Sequence, residues 1–341
     1  MVIVAQDGSS PFTSIQAALD ALPENSAEPP VLLIRTGVYH ERVIVHRNHV
    51  RLVGESREGT VITHSACARD PDPSGHEKGT FLSFTVLVTG HDVTLENLTI
   101  RNDAGDGATA GQAVALYAAG DRGAYRQCRL MAHQDTLFCG PLMPKVEREI
   151  APYPSTAECV PSVGDCPPTR SRLYFEDCFI QGDTDFIFGP YRCWFERCTL
   201  FMNAPGGWYT AANTPGEQRY GLVFHACRLT GECPPGRAFL GRPWRPFART
   251  VFLSCDMDGH VSPQGFADWD ASKPVTERCG EWNTTGVRSD QRTRHPRQKR
   301  LTREEAQSIT PSAVLRGEDH WQPEASASEE SIVIERKHGN G

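Results

Sequence analysis

The chain has 341 residues, with 42 acidic and 35 Lys or Arg side chains, for a formal charge of −7. That balance gives no electrostatic footprint for nucleic acid, and no apolar run reaches the roughly eighteen residues that span a bilayer. The length allows a sizeable core. The start, Met1 to Gly8, has neither a basic n-region nor an apolar h-region. Read as it stands, the chain is expected in the cytoplasm, or secreted if a leader is missing from the sequence.

In chain order, residues 2–5 predict a strand and Ser9–Phe12 a turn. Ile15, Ala18, Leu19 and Leu22 have helical spacing within Ser14–Leu22, and Pro23 ends that helix. Val31–Ile34 reads as a buried strand. Gly37-Val38-Tyr39-His40-Glu41 is a turn leading to Val43–Val45, and short strands follow at Val50–Gly54 and Val61–Thr63. From Phe84 to Met257 short strands recur between turns rich in Gly, Asp and Asn, with almost no helical period.

Twelve cysteines suggest a disulfide framework, but five of them share one place in a repeat. Cys128, Cys178, Cys198, Cys227 and Cys255 each follow a short alternating segment and precede another, with Asn97 read as the equivalent residue in Leu95–Ile100. The intervals from Asn97 onward are 31, 50, 20, 29 and 28 residues. Thiols in one register are expected to be small buried hydrophobes stacked in a column, not disulfides. Cys159 and Cys166, with Cys139 nearby, are a weak candidate for a metal or disulfide loop. Periods of this size mean a solenoid or array. Strand, turn and strand again suit an all-β, right-handed, single-stranded parallel β-helix with a short N-terminal helix and a C-terminal helical and loop extension. A β-sandwich is the alternative.

The interval of 50 carries a Pro-rich, charged insertion at about 140–172, expected to leave the stack as a loop on one face. Val287–Arg300 is strongly basic and reads as a solvated loop. Thr302 and Glu305 have capping-box spacing. Residues 324–341 read as a frayed, disordered tail.

Gln181-Gly182-Asp183-Thr184-Asp185-Phe186-Ile187-Phe188-Gly189 concentrates the chemistry. At strand spacing Asp183 and Asp185 share a face, with Phe186 and Phe188 on the other. On composition alone an exposed acidic turn is the favoured reading. Three further stretches change that reading: Gln112 at the head of Gly111–Tyr117, Gln134-Asp135-Thr136-Leu137-Phe138, and Leu240-Gly241-Arg242-Pro243-Trp244. Two acids, two amides and one Arg on successive coils suit ester hydrolysis. One carboxylate attacks the carbonyl and a second moves the proton. The amides donate to the oxyanion, and the Arg keeps the nucleophile ionised. There is no Gly-x-Ser-x-Gly elbow and no His cluster with metal spacing.

These stretches, with Gly37–Glu41, resemble the five ordered motifs of the pectinesterases (pectin methylesterases). The likeness extends from about Val2 to about Pro323, implying one catalytic domain over 1–323. The resemblance implies a right-handed parallel β-helix that removes methyl esters from polygalacturonate, giving methanol and free carboxylates without a metal or other cofactor. By motif, Asp185 resembles the nucleophile, Asp135 the general acid/base, Gln112 and Gln134 the oxyanion residues, and Arg242 the partner of Asp185. Trp244 resembles a sugar-stacking platform, while Thr80, Phe188 and Phe266 would line the groove. Asp183 is not a motif residue and reads as structural or as a tuner.

Phe138 stands where many members have Tyr, and Phe266 where plant members often have Trp. The insertion would overhang the groove. The implied partner is methylated homogalacturonan or its oligomers, with no nucleic acid and no membrane, and the chain is expected to be a monomer. Two alternatives are another β-helix chemistry on the same polymer, glycosidase or lyase, and a non-catalytic carbohydrate-binding solenoid. The first lacks this Gln and Leu-Gly-Arg-Pro-Trp context, and the second has no need of Asp135, Asp185 and Arg242 together.

Overall fold

The computed structural model describes residues 1–23, 28–160, 169–270 and 272–324. Its strands form three long parallel sheets of eleven, eight and six strands among the described residues. In the middle of the stack each coil of chain gives one strand to each sheet. Gly123–Arg126, Arg129–Met131 and Leu137–Cys139 make one coil, and Arg172–Glu176, Phe179–Gly182 and Ile187–Gly189 make the next. Successive coils pair in register, with Tyr125 opposite Phe175, Leu130 opposite Ile180 and Leu137 opposite Ile187. This is a parallel β-helix, wound in the hand that strand twist favours.

Period-2 alternation fills the interior with every second side chain. Tyr125, Phe175, Phe195, Phe224 and Phe252 stack face to face, with centroids 4.7, 4.6, 4.4 and 4.6 Å apart. Each such ring contributes about 1.5–3 kcal/mol by leaving water. The five register cysteines are buried free thiols beside this ladder. Each Sγ donates to a carbonyl of the preceding coil, as Cys178 does to Tyr125 O at 3.4 Å. Leu98, not Asn97, holds the equivalent position: Leu95 pairs with Tyr125, so Asn97 aligns with Gln127. Asn97, Gln127, Asp177, Arg197, Ala226 and Ser254 are all left-handed, with φ between 50 and 54°. They form the turn before the column, where the Asn97 amide donates to Gly54 O at 2.8 Å. Of the weak cysteine loop, Cys139 is buried in the interior and Cys159 exposed, while Cys166 lies outside the described residues.

Helix α1 (Ile15–Asp20) covers the N-terminal end, capped by Ser14 and buried through Ile15, Ala18 and Leu19. Glu41 receives its free N–H groups, from Ile15 at 2.9 Å and Gln16 at 3.1 Å, which explains the acid closing the Gly37–Glu41 motif. A short helix, α2 (Gly107–Ala110), lies near the middle of the stack, and α3 (Pro144–Glu149) falls within the insertion. Helices α4 (Arg303–Gln307) and α5 (Pro311–Leu315) pack Ala306, Ile309, Val314 and Leu315 onto the outer face of the eleven-stranded sheet, against Tyr174, Trp194, Val223 and Val251. The capping box of Thr302 and Glu305 is formed. Beyond Glu324 the tail lies outside the described residues.

The basic run 287–300 is not simply a solvated loop. Arg294 is buried and donates to the fully buried Glu281 at 2.7 and 3.1 Å. No helix among the described residues is long and apolar enough to cross a membrane.

Candidate active site

The site lies where the eight-stranded sheet turns into the six-stranded one. The chain between Phe179–Gly182 and Ile187–Gly189 is a turn, so Asp183 and Asp185 do not share a strand face. Phe186 packs into the interior against Tyr209, while Phe188 points outward, so the two rings are on opposite sides. The pattern reading failed because Asp185 is left-handed, φ 51°, which breaks the alternation.

Asp135 stands one coil earlier in the same place, with φ 65°. Its N–H donates to Thr184 O at 3.0 Å, and Leu137 pairs with Ile187 two residues on. Asp tolerates this conformation better than most side chains. A further coil back, Gln112 pairs with Gln134 as an isolated parallel bridge. Four residue steps separate Gln112 from Leu116 but three separate Gln134 from Leu137. Ala115 and Leu116 both donate to Thr136 O, so one residue bulges. The bulge brings Gln112 opposite Gln134 on the neighbouring coil, next to Asp135.

Arg242 comes from two coils further along the chain. Its Nε donates to Asp185 Oδ1 at 2.9 Å and its Nη2 to Asp185 Oδ2 at 2.7 Å. The guanidinium is clasped between two indoles, 3.9 Å from the Trp208 centroid and 4.3 Å from that of Trp269. This planar, bidentate, stacked arrangement suits Arg and not Lys.

The two acids are alike in place and unlike in partners. Both are buried, 8 % exposed at Asp135 and 5 % at Asp185. Burial pushes Asp135 well above the usual carboxylate range, the charge of Asp185 adds to that, and Arg242 only partly opposes it. At Asp185 burial also raises the pKa, but two N–H donors and the charge of Arg242 act directly against it. A proton shared by the pair is therefore favoured on Asp135 over Asp185.

Asp183 is buried beside them and accepts from its neighbour Thr184 N at 2.6 Å. His133 Nδ1 lies 3.0 Å from Asp183 Oδ2, and that hydrogen bond raises the His133 pKa. Helix α2 lies close over this corner. A Cβ at Gly107 would come within 2.9 Å of Gln134 Cβ and 3.1 Å of Asp183 Oδ1, so the position requires glycine.

Of the residues expected at the groove, Trp244 is half-buried, 6.1 Å from the Phe188 ring in edge contact. Phe188 is 3 % exposed and floors the outer apolar face more than it meets solvent. Thr80 is half-buried in a short 3-10 turn, Thr80–Leu82. Phe266 does not line the groove: it is 1 % exposed, inside the coil near Phe252. Trp208, Trp269 and His133 were missed. Trp208 follows a Pro-Gly-Gly turn and Trp269 an irregular loop, so neither has a period to betray it, and His133 had only its place beside Gln134.

The sequence model of the family described as Pectinesterase matches residues 1–141 and 168–318. A probable pectinesterase/pectinesterase inhibitor, number 23, of Arabidopsis thaliana is 31 % identical over 338 residues, covering 94 % of this chain. This chain spans 53 % of that relative's length. Pectinesterase 31 of the same plant is 30 % identical over 313 residues, covering 90 % of this chain and 89 % of the relative. The crystal structure of a pectin methylesterase in complex with hexasaccharide VII superposes with a TM-score of 0.76 at 29 % identity, covering 94 % of this chain and 98 % of that one. By the family model, the relatives and the fold, this chain belongs to the pectinesterase family.

Proposed function

We propose that the chain hydrolyses methyl esters of galacturonan or its oligomers, releasing methanol and leaving free carboxylates. The observation that carries the reading is the asymmetry of the acid pair: Asp185 is held by Arg242 through two N–H donors, and Asp135 has no such partner among the described residues. Asp185 attacks the ester carbonyl, and the developing oxyanion accepts hydrogen bonds from the side-chain amides of Gln112 and Gln134. As the bond to the methoxy oxygen breaks, Asp135 gives it a proton and methanol leaves. The acyl group stays on Asp185 as an anhydride. Water then attacks the acyl carbon, Asp135 takes back a proton, and the free galacturonate leaves with Asp185 restored.

All steps balance with side chains of this protein and water. Trp244 offers an apolar face for a sugar ring, beside Arg242 and close to Phe188. The related pectin methylesterase in complex with a hexasaccharide supports an oligosaccharide as the ligand class. The test is methanol release from methyl-esterified oligogalacturonate, with reducing ends and unsaturated products followed in parallel. Methanol alone supports the esterase, and new chain ends without methanol would favour a glycosidase or lyase.

A further inference from the structure

Asp183 has no step in the proposed chemistry. Yet it is buried two residues before Asp185, and its hydrogen bonds lead back to the site. Asp183 Oδ1 accepts from Thr184 N at 2.6 Å, which fixes the turn immediately before Asp185. Its own N–H donates to His133 O at 3.0 Å, and its carbonyl accepts from Trp208 N at 3.0 Å. Trp208 is one of the two indoles that clasp Arg242. The strand Gly207–Trp208 runs so close that a Cβ at Gly207 would lie 2.2 Å from Asp183 O, so only glycine fits there. One residue thus ties together the chain beside Gln134, the turn that carries Asp185 and the clasp of its arginine.

The charge of Asp183 is the difficulty. Asp135, Asp183 and Asp185 are three buried carboxylates at one corner, and of the three Arg242 donates only to Asp185. A buried carboxylate needs donors or a counter-ion. Left uncompensated, the charge of Asp183 raises the pKa of both Asp135 and Asp185.

His133 meets that charge. Its Nδ1 lies 3.0 Å from Asp183 Oδ2, and this hydrogen bond is the main cause of its raised pKa. Burial works against the rise, while the charges of Asp183 and of Asp106, at the head of α2, add to it. The other groups around the ring are Arg101 and Asp103, which pair with each other at 2.7 Å, and the neutral amide of Asn203 at 3.4 Å. The imidazole is 32 % exposed, on a crevice of about 180 Å³ that Arg101, Asp103 and Gln181 also line. It can therefore exchange its proton with solvent while Asp183 stays buried.

Resting on the esterase reading, we propose that His133 is a positioning residue that acts on the nucleophile through Asp183. As an imidazolium it cancels the Asp183 charge, so Arg242 alone sets the acid pair apart. When His133 loses its proton, a further buried anion stands beside the pair, and Asp185 becomes harder to ionise.

The test follows the Asp135 and Asp185 carboxyls by carbon-13 NMR of aspartate-labelled protein, and the pH dependence of methanol release in parallel. It compares the wild type, His133→Asn, Asp183→Asn and the double variant. His133→Asn keeps an N–H donor for Asp183 and removes the cation. Asp183→Asn keeps an acceptor for Thr184 N and removes the anion. His133 carries its proton at the pH of the acid limb, because Asp183 holds its pKa above the ordinary value. The two single variants should therefore move the Asp185 carboxyl and the acid limb of kcat/KM in opposite directions, upward in His133→Asn and downward in Asp183→Asn. Each displacement should be roughly half to one pH unit, the scale of one charge acting across a partly buried site. The double variant has neither charge and should return close to the wild type, whereas damage to packing alone would accumulate. Single variants that shift the same way, an unmoved Asp185 carboxyl, or a double variant farther from the wild type than either single one, would overturn the proposal. Opposite carboxyl shifts in a protein that releases no methanol would uphold the coupling and fault the esterase reading.

Discussion

Asp135 and Asp185 occupy one register position on successive coils, each with a left-handed backbone. Coils stack about 4.8 Å apart, so the fold itself brings the two acids together. What separates their roles is Arg242, which donates twice to Asp185. Geometry supplies the pair, and one cation makes its two members unlike: on the proposed mechanism, an anion and an acid.

This division predicts a pH profile. The acid limb of kcat/KM reports loss of the Asp185 anion, and the basic limb reports loss of the Asp135 proton. Burial raises both, so both limbs should lie above the model carboxylate value of about 3.9, as apparent values of the pair. Asp135→Asn should remove the basic limb and lower kcat by about 10²–10⁴. Arg242→Gln should move the acid limb upward, because the burial of Asp185 is then unopposed. A pH–rate series on the three proteins checks this, and an unmoved acid limb in Arg242→Gln would count against the pairing.

Trp208 should matter without touching the reacting atoms. It lies 3.9 Å from the Arg242 guanidinium, and its Nε1 is buried without a hydrogen-bond partner among the described residues. A buried cation–π contact is worth about 2 kcal/mol. Trp208→Leu should therefore lower kcat by roughly tenfold and shift the acid limb upward in part, while Trp208→Phe keeps most of both. Thermal melts distinguish this from unfolding, since the variant should stay folded at the assay temperature.

The C-terminal helices are fastened by a charge cluster. Arg172 donates to Asp121 at 2.7 Å and to Asp319 at 2.6 Å, and to Leu315 O at 3.2 Å. Asp319 is held well below the usual carboxylate range, chiefly by the hydrogen bond from Arg172. A depressed pKa stabilises above the unfolded value and loses that contribution as pH falls through the folded one. Asp319→Asn should thus lower the melting temperature at pH 7 and have progressively less effect as pH falls below about 3.9. Arg172→Ala leaves Asp121 and Asp319 with Arg122 alone, at 3.0 and 3.1 Å, and should cost about 1.5–3 kcal/mol. Equal effects of Asp319→Asn at pH 7 and pH 2 would contradict the charge account.

The cysteine column should be chemically silent. Cys128, Cys178, Cys198, Cys227 and Cys255 are buried, while Cys159 is exposed. Thiol titration of the native protein should label Cys159 quickly and the five only on unfolding. Mapping any of the five to a disulfide would undo the column.

The coil repeat and the five catalytic candidates were legible because the candidates fall in four short segments, each on its own coil, and a period of strand and turn survives in sequence. What escaped needed the third dimension. Asn97 and Leu98 differ by one residue, and only the left-handed turn says which enters the column. Asp183 and Asp185 read as strand neighbours because a positive φ leaves no mark in alternation. Trp208 and Trp269 reach Arg242 from the coils on either side of it, far apart in sequence, and Arg294 looked like one charge in a basic run until Glu281 received it. Phe266 took its expected place from a motif and its actual one, in the interior, from packing.

The most direct measurement is methanol release from methyl-esterified oligogalacturonate by the wild type and by Asp185→Asn. Asn tolerates the left-handed backbone at this position, so the variant should fold. The account predicts stoichiometric methanol and free carboxylate from the wild type, with no new chain ends, and essentially none from the variant. A folded variant that still releases methanol near the wild-type rate would contradict Asp185 as the nucleophile.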